Sequence, residues 1–385
     1  MALISIGKIN KKIFIPIFGG LFKIIYKFII SFSSKAELLN NNNPLLLAIY
    51  SSIGMILSLI PYLILKRQIK KEKFNINENS ISGKDTKNRL VIKYEHYNIY
   101  KKTKWSKYKF LFLASILDCL QTLCGCILYW DFVYNLWIFD IIIISLFSNL
   151  ILKTVLYRHQ YFSMIIIIIL GFGLNIIEYF KKDKDDKNKV DLTKIIFKFI
   201  SEIFLCLTLV IDKLNMEKYF CHPYEICIWG GFIDLILISI SLLIVNKIGV
   251  TIEYINYPQN LYDYLDQFDK IDLFLALFTI IINGLYNIFI IATCDIFSPF
   301  HVLIIIIIGE SYDYFKFKEN IMLNILGLFC LILIFFMFLF FIEIFELNLF
   351  TLSENTKKNI QIRSDSENEN DNDKETESEY ELNME

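Results

Sequence analysis

The chain has 385 residues, 55% hydrophobic and 16% aromatic, and its charges nearly cancel at a formal net of -1. A soluble domain of this length rarely carries serial apolar runs of about twenty residues. The composition therefore excludes an ordinary soluble enzyme and predicts a polytopic membrane protein surrounded by lipid bilayer, with no nucleic acid among its partners.

About twenty mostly apolar residues cross a hydrocarbon core as helix. The first run, Ile13–Phe32, is followed by Pro44–Leu65, Lys109–Tyr129, Phe132–Leu152 and Tyr161–Phe180. Ile195–Ile211, Tyr224–Val245, Asp272–Thr293, Pro299–Ile308 with its continuation, and Ile321–Ile344 complete the series. The expected fold is thus all-α, with about ten transmembrane helices. Lys23 and Lys27 make the first run the least apolar. Two placements stay open for it, a span with snorkelling lysines or an amphipathic helix in the interface. The polar, basic start Met1–Lys12 and the lack of a small-residue cleavage pattern predict no cleavable leader.

The loops predict an orientation. Lys and Arg concentrate in cytosolic loops close to span ends, which places the basic segment 66–109 in the cytosol. Both termini follow it there, on an endomembrane such as Golgi or ER. The acidic, aromatic Glu253–Asp269 loop falls on the other side. Lys181–Lys189 runs against this trend, although Asp183, Asp185 and Asp186 accompany its lysines. Segment 350–385, acidic and rich in Ser and Asn towards its end, buries too little apolar surface to order itself.

An internal echo divides the series into halves. Asn43-Pro44 leads to Tyr50-Ser51-Ser52, and His222-Pro223 leads at the same offset to Trp229-Gly230-Gly231. Phe139-Asp140 and Phe300-His301 each precede an isoleucine run. Proline suits a first helical turn, and the small residues allow a neighbouring backbone to approach closely. The expected domains are residues 1–181 and 193–349, each an odd number of spans and therefore inverted relative to the other.

Ionisable groups inside spans are costly and mark functional candidates. Asp118, Glu202 and Asp234 are the deepest acids, with Asp140 closer to one end of its span. Lys23 and Lys27 share a helix face, as do Asn283 and Asn287, because each pair is four residues apart. These eight residues are the candidate lining of a polar cavity, with structural interhelical pairing as the competing role for the acids. Asp212, Asp295 and Glu178 read as interfacial, near the ends of their runs. Eight cysteines lie mostly within or beside the runs, where thiols act as small hydrophobes. Cys124-Gly-Cys126 lacks metal-ligand spacing. No phosphate loop, zinc-protease pattern or nucleophile elbow is present, so neither cofactor nor metal nor enzymatic activity is expected.

Several stretches resemble the drug/metabolite transporter superfamily, in particular divergent protist relatives of the nucleotide-sugar-transporter-like solute carrier 35 F group, of the EamA type. They are Ile6-Gly7-Lys8-Ile9-Asn10-Lys11-Lys12, Leu113-Ala114-Ser115-Ile116-Leu117-Asp118 and Tyr157-Arg158-His159-Gln160-Tyr161 running into Leu170-Gly171-Phe172-Gly173. Phe220-Cys221-His222-Pro223-Tyr224-Glu225-Ile226-Cys227 and Phe345-Glu346-Leu347-Asn348 complete the likeness. It implies two inverted five-helix repeats around a central cavity, lined by spans one to four and six to nine, that opens alternately to each side. It also implies a small organic solute as partner, such as a nucleotide sugar, with homodimerisation as a further expectation. Trp229 stands where that family carries an acid before the glycines of span seven. Two other classes remain: a lipid-modifying enzyme using His301 beside a carboxylate, and a receptor or scaffold with tightly packed spans.

Overall fold

The computed structural model describes residues 4–6, 11–35, 44–68, 105–127, 135–181, 192–248, 270–314 and 321–347. The acidic tail, the Glu253–Asp269 loop and most of the basic loop 66–109 lie outside the described residues. Apart from one short strand pairing, the described chain is helical. Helix α1 is Phe14–Lys35 and α2 is Pro44–Ile56, which resumes after a turn and runs to Gln68. Helix α3 is Trp105–Ile127, α4 is Asp140–Phe147, α5 is Arg158–Lys181 and α6 is Leu192–Lys218. Helix α7 is Pro223–Ile248, α8 is Lys270–Ile296, α9 is Val302–Tyr314 and α10 is Ile321–Phe341.

Seven of these (α1, α2, α3, α5, α7, α8 and α10) are long and apolar enough to cross a bilayer. The chain is an integral membrane protein. The other three differ for physical reasons. Helix α4 is short but extends through flanking turns into an apolar segment, Leu136–Leu152. Helix α9 buries every residue from Val302 to Ile307, which explains why it is apolar all round rather than on one face. Helix α6 spans 27 residues, but it carries Lys198, Glu202, Asp212 and Lys213 within its length.

The outer helices show the opposite pattern. On α5, Ile165, Ile169, Phe172 and Ile176 follow one face and are each more than half exposed. The same helix buries Ile167, Gly171 and Leu174. An apolar face this continuous on the outside of a protein is suited to lipid.

Packing follows a definite scheme. Helix α1 lies against α8 and α9, and α6 lies against α3 and α4. Helices α2 and α7 pack on each other; α2 also packs on α8, and α7 on α3. Helices α5 and α10 pair at the periphery. Gly19 of α1 sits over Ile305 and Phe289, and Gly20 over Ile308, so α1 is inserted among its neighbours along its length. That favours the spanning placement over an interfacial one.

The first and last described segments meet. Strand β1 (Ile4–Ile6) pairs antiparallel with β2 (Phe345–Leu347), Ile4 opposite Leu347 and Ile6 opposite Phe345. The start of α1 and the end of α10 therefore lie at the same end of the bundle. There Gln160 Nε2 also donates to the Phe341 carbonyl at 3.2 Å, and the Phe300 and Phe341 rings pack 5.1 Å apart.

A polar cavity at the centre of the bundle

A cavity of about 800 Å³ lies between the helices. Helices α1 to α4 and α6 to α9 contribute its walls, α4 through Asn135 and Trp137 just ahead of it. Helices α5 and α10 reach it only near one end, through Glu178, Lys181 and Asn324. Those residues form its rim with Asp313, whose side chain is 46% exposed. Its floor includes Asp212 and Asp234, which are 4% and 3% exposed. The rim lies at the opposite end of the bundle from the paired termini, because α5 arrives there at its C-terminus and α10 leaves it at its N-terminus.

The rim is built from ion pairs. Lys23 Nζ and Lys27 Nζ each donate to one oxygen of Glu310 at 2.9 Å, and Lys27 reaches Asp313 at 2.7 Å. The two lysines project from one face of α1, as their spacing predicts, and their carboxylate partners sit on α9. Gly309 makes this possible, because a Cβ there would collide with the Lys23 side chain. Lys181 pairs with Glu178 at 2.8 Å and lies 4.2 Å above the Tyr314 ring, whose hydroxyl accepts from Asn135 Nδ2 at 3.4 Å. On α6, Lys198 pairs with Glu202 one turn on.

The floor is different. The carboxyl groups of Asp118 on α3 and Asp234 on α7 lie close to each other at the floor. Asp212 on α6 interacts electrostatically with both. One oxygen of Asp212 and one of Asp234 have no hydrogen-bond partner, and neither does Thr208 Oγ1 one turn before Asp212. Asn283 and Asn287 line the α8 wall, Asn287 donating to Ser51 Oγ of α2 at 3.2 Å.

Two of the eight sequence candidates need correction. Lys27 is not part of the lining, although its amine holds a lining carboxylate. Asp140 lies behind the wall, fully buried, with both carboxyl oxygens unbonded. Its position at the first turn of α4 faces α6, whose Cys206 thiol contacts the Asp140 carbonyl at 3.9 Å, and not the open space. The other six (Lys23, Asp118, Glu202, Asp234, Asn283 and Asn287) all line the cavity.

Glu310, Asp313 and Lys198 are not among the sequence candidates, and Asp212 and Glu178, expected to be interfacial, line the cavity as well. The sixth apolar run stops at Ile211, whereas the helix continues to Lys218 and carries Asp212 inside it. A usable signal existed: Lys198-x-x-x-Glu202 is a one-turn ion pair, and Glu310 follows a glycine after seven buried-type residues.

The small-residue echo also has a place. Ser52 and Gly231, at equal offsets from Pro44 and Pro223, touch each other: a Cβ on Gly231 would lie 2.6 Å from the Ser52 carbonyl oxygen. Gly54 and Gly284 bring α2 and α8 together backbone to backbone, a Cβ on Gly284 lying 2.5 Å from the Gly54 oxygen. These contacts set the tight central packing on which the cavity rests.

His301 does not line the cavity. Its ring nitrogen is hydrogen-bonded to Ser298 Oγ at 2.8 Å and its ring stacks on Phe297 at 4.7 Å. Among the described residues no cluster of His, Cys, Asp and Glu is arranged to hold a metal ion. Neither protein-family models nor curated proteins give a match to this chain.

Proposed function

We propose that the protein is a secondary carrier that moves a small organic solute across a membrane by alternating access. The observation that carries this reading is the cavity of about 800 Å³, lined by charged residues drawn from helices in both halves of the chain. That volume suits a metabolite-sized ligand, and charges held at membrane depth are maintained only where they serve a pathway or a pair.

The packing scheme supports two inverted five-helix repeats. Advancing each helix number by five turns the α1–α8 contact into α6–α3, α1–α9 into α6–α4, and α2–α8 into α7–α3, all of which occur. The α2–α7 and α5–α10 contacts map onto themselves, as contacts across a two-fold axis do. Pairing of β1 with β2 requires an even number of crossings, which the seven long apolar helices satisfy once α4, α6 and α9 are added. The same reading puts both termini on the cytosolic side, next to the basic loop, and fits the resemblance to drug/metabolite transporters. In the carrier cycle the described conformation is the one open away from the termini. Rocking of the halves about the α2–α7 contact would open the other end.

Purified protein in liposomes, loaded with a panel of nucleotide sugars, organic anions and organic amines, tests this by counterflow. Saturable exchange of at least one solute, lost in Asp118→Asn, is the expected result. Absence of exchange for the whole panel, together with no effect of Asp118→Asn in cells, would sink the carrier reading.

A further inference from the structure

We propose that the floor of the cavity binds its solute through a cationic group, an organic amine or ammonium, held by Asp118, Asp212 and Asp234. The proposal rests on the carrier reading for what happens to the bound solute, but the binding itself needs no movement.

At the rim each carboxylate has a base: Glu310 and Asp313 take Lys23 and Lys27, Glu178 takes Lys181, and Glu202 takes Lys198. At the floor the three aspartates meet no lysine or arginine among the described lining residues. Lys213, next to Asp212 in sequence, turns away: its amine donates to the Asp295 carbonyl at 2.9 Å and pairs with Glu217 at 3.4 Å. Lys198 stands fourteen residues before Asp212 on the same helix, roughly 20 Å along its axis.

A second, independent observation points to a ligand. Thr208 Oγ1 is a buried side-chain atom with no hydrogen-bond partner; its residue is 7% exposed and lines the cavity beside Asp212. Unpaired buried oxygens cost free energy unless something donates to them. An ammonium group donates up to three hydrogen bonds and accepts none, which is the complement of the free oxygens of Asp212, Asp234 and Thr208. An ionised phosphate or carboxylate group only accepts, and so would bring no hydrogen to these oxygens. This class differs from the nucleotide sugar that the sequence resemblance implies.

Thermal unfolding of the full chain in lipid nanodiscs, with matched probes, decides the matter. Tryptamine, agmatine and choline are the cations; indole-3-propionate, glutarate and uridine diphosphate glucose are the anions. At least one cation should raise the melting temperature saturably. Asp212→Asn and Asp234→Asn should weaken that probe at least about tenfold, the loss expected for one charged hydrogen-bond partner. Asp234→Glu keeps the charge and should retain binding, which separates charge recognition from a folding defect. Protection by anions alone, by no probe of either charge, or by cations with unchanged affinity in both Asn variants would overturn the proposal. Exchange of an anion in the liposome assay would leave the carrier reading standing while this one falls.

Discussion

The α1–α9 and α6–α4 contacts occupy equivalent places in the packing scheme, five helices apart, yet their chemistry is unlike. Between α1 and α9, two lysines on one helix hold Glu310 and Asp313 on the other, tying the helices together through charge. Between α6 and α4, Lys198 and Glu202 satisfy each other within α6, and Asp140 on α4 is left with both carboxyl oxygens unbonded. Equivalent backbone packing thus carries an interhelical clamp on one side and an intrahelical pair on the other. The two contacts match in position but not in chemistry.

The clamp can be broken at its centre. Glu310→Ala strips the shared carboxylate from Lys23 and leaves Lys27 with Asp313 alone. Removing one partner of a mostly buried charge pair destabilises by about 3 kcal/mol, read as a lower melting temperature in nanodiscs. Adding Lys23→Met should recover most of the loss, because the stranded ammonium is then gone. If the double variant is as unstable as the single one, the clamp contributes through packing and not through charge.

A smaller effect is expected from Gly309→Ala. The new methyl group displaces the Lys23 stem, which is flexible and can move aside, so the cost is about 1–2 kcal/mol. Coupling between Gly309→Ala and Glu310→Ala should be strong, since both act on the Lys23 position. Additive effects would mean that the glycine serves only helix approach.

The α6–α4 side should respond least. Asp140→Asn replaces a carboxyl with no hydrogen-bond partner by a neutral group of the same shape. Stability should change by less than about 1 kcal/mol or rise slightly. A large loss of stability would show that Asp140 is ion-paired through α6 and that the two contacts are more alike than their geometry suggests.

The membrane class and the helices were legible from Ile, Leu and Phe runs because lipid contact demands apolarity over a whole span. The extra acids were harder to see. Asp212 lies past the last apolar residue of its run, and Glu310 lies in a short helix that buries every residue from Val302 to Ile307. Hydropathy marks where apolar surface ends, but a helix continues for as long as its neighbours satisfy its polar side chains. Asp140 misled in the opposite sense, since a charge inside an apolar run need not face an open space.

By itself the sequence determined the number and order of the apolar segments, the paired lysines and asparagines four apart, and the Pro44 and Pro223 echo. These are local properties, set by helical periodicity and by the length a bilayer requires. Only the tertiary structure decided that Lys23 and Lys27 meet Glu310 from 283 or more residues away. It alone also decided that Ser52 touches Gly231, and that Asp118, Asp212 and Asp234 converge without a base. Those pairings depend on which faces of distant helices are brought together, and no spacing within a single helix encodes them.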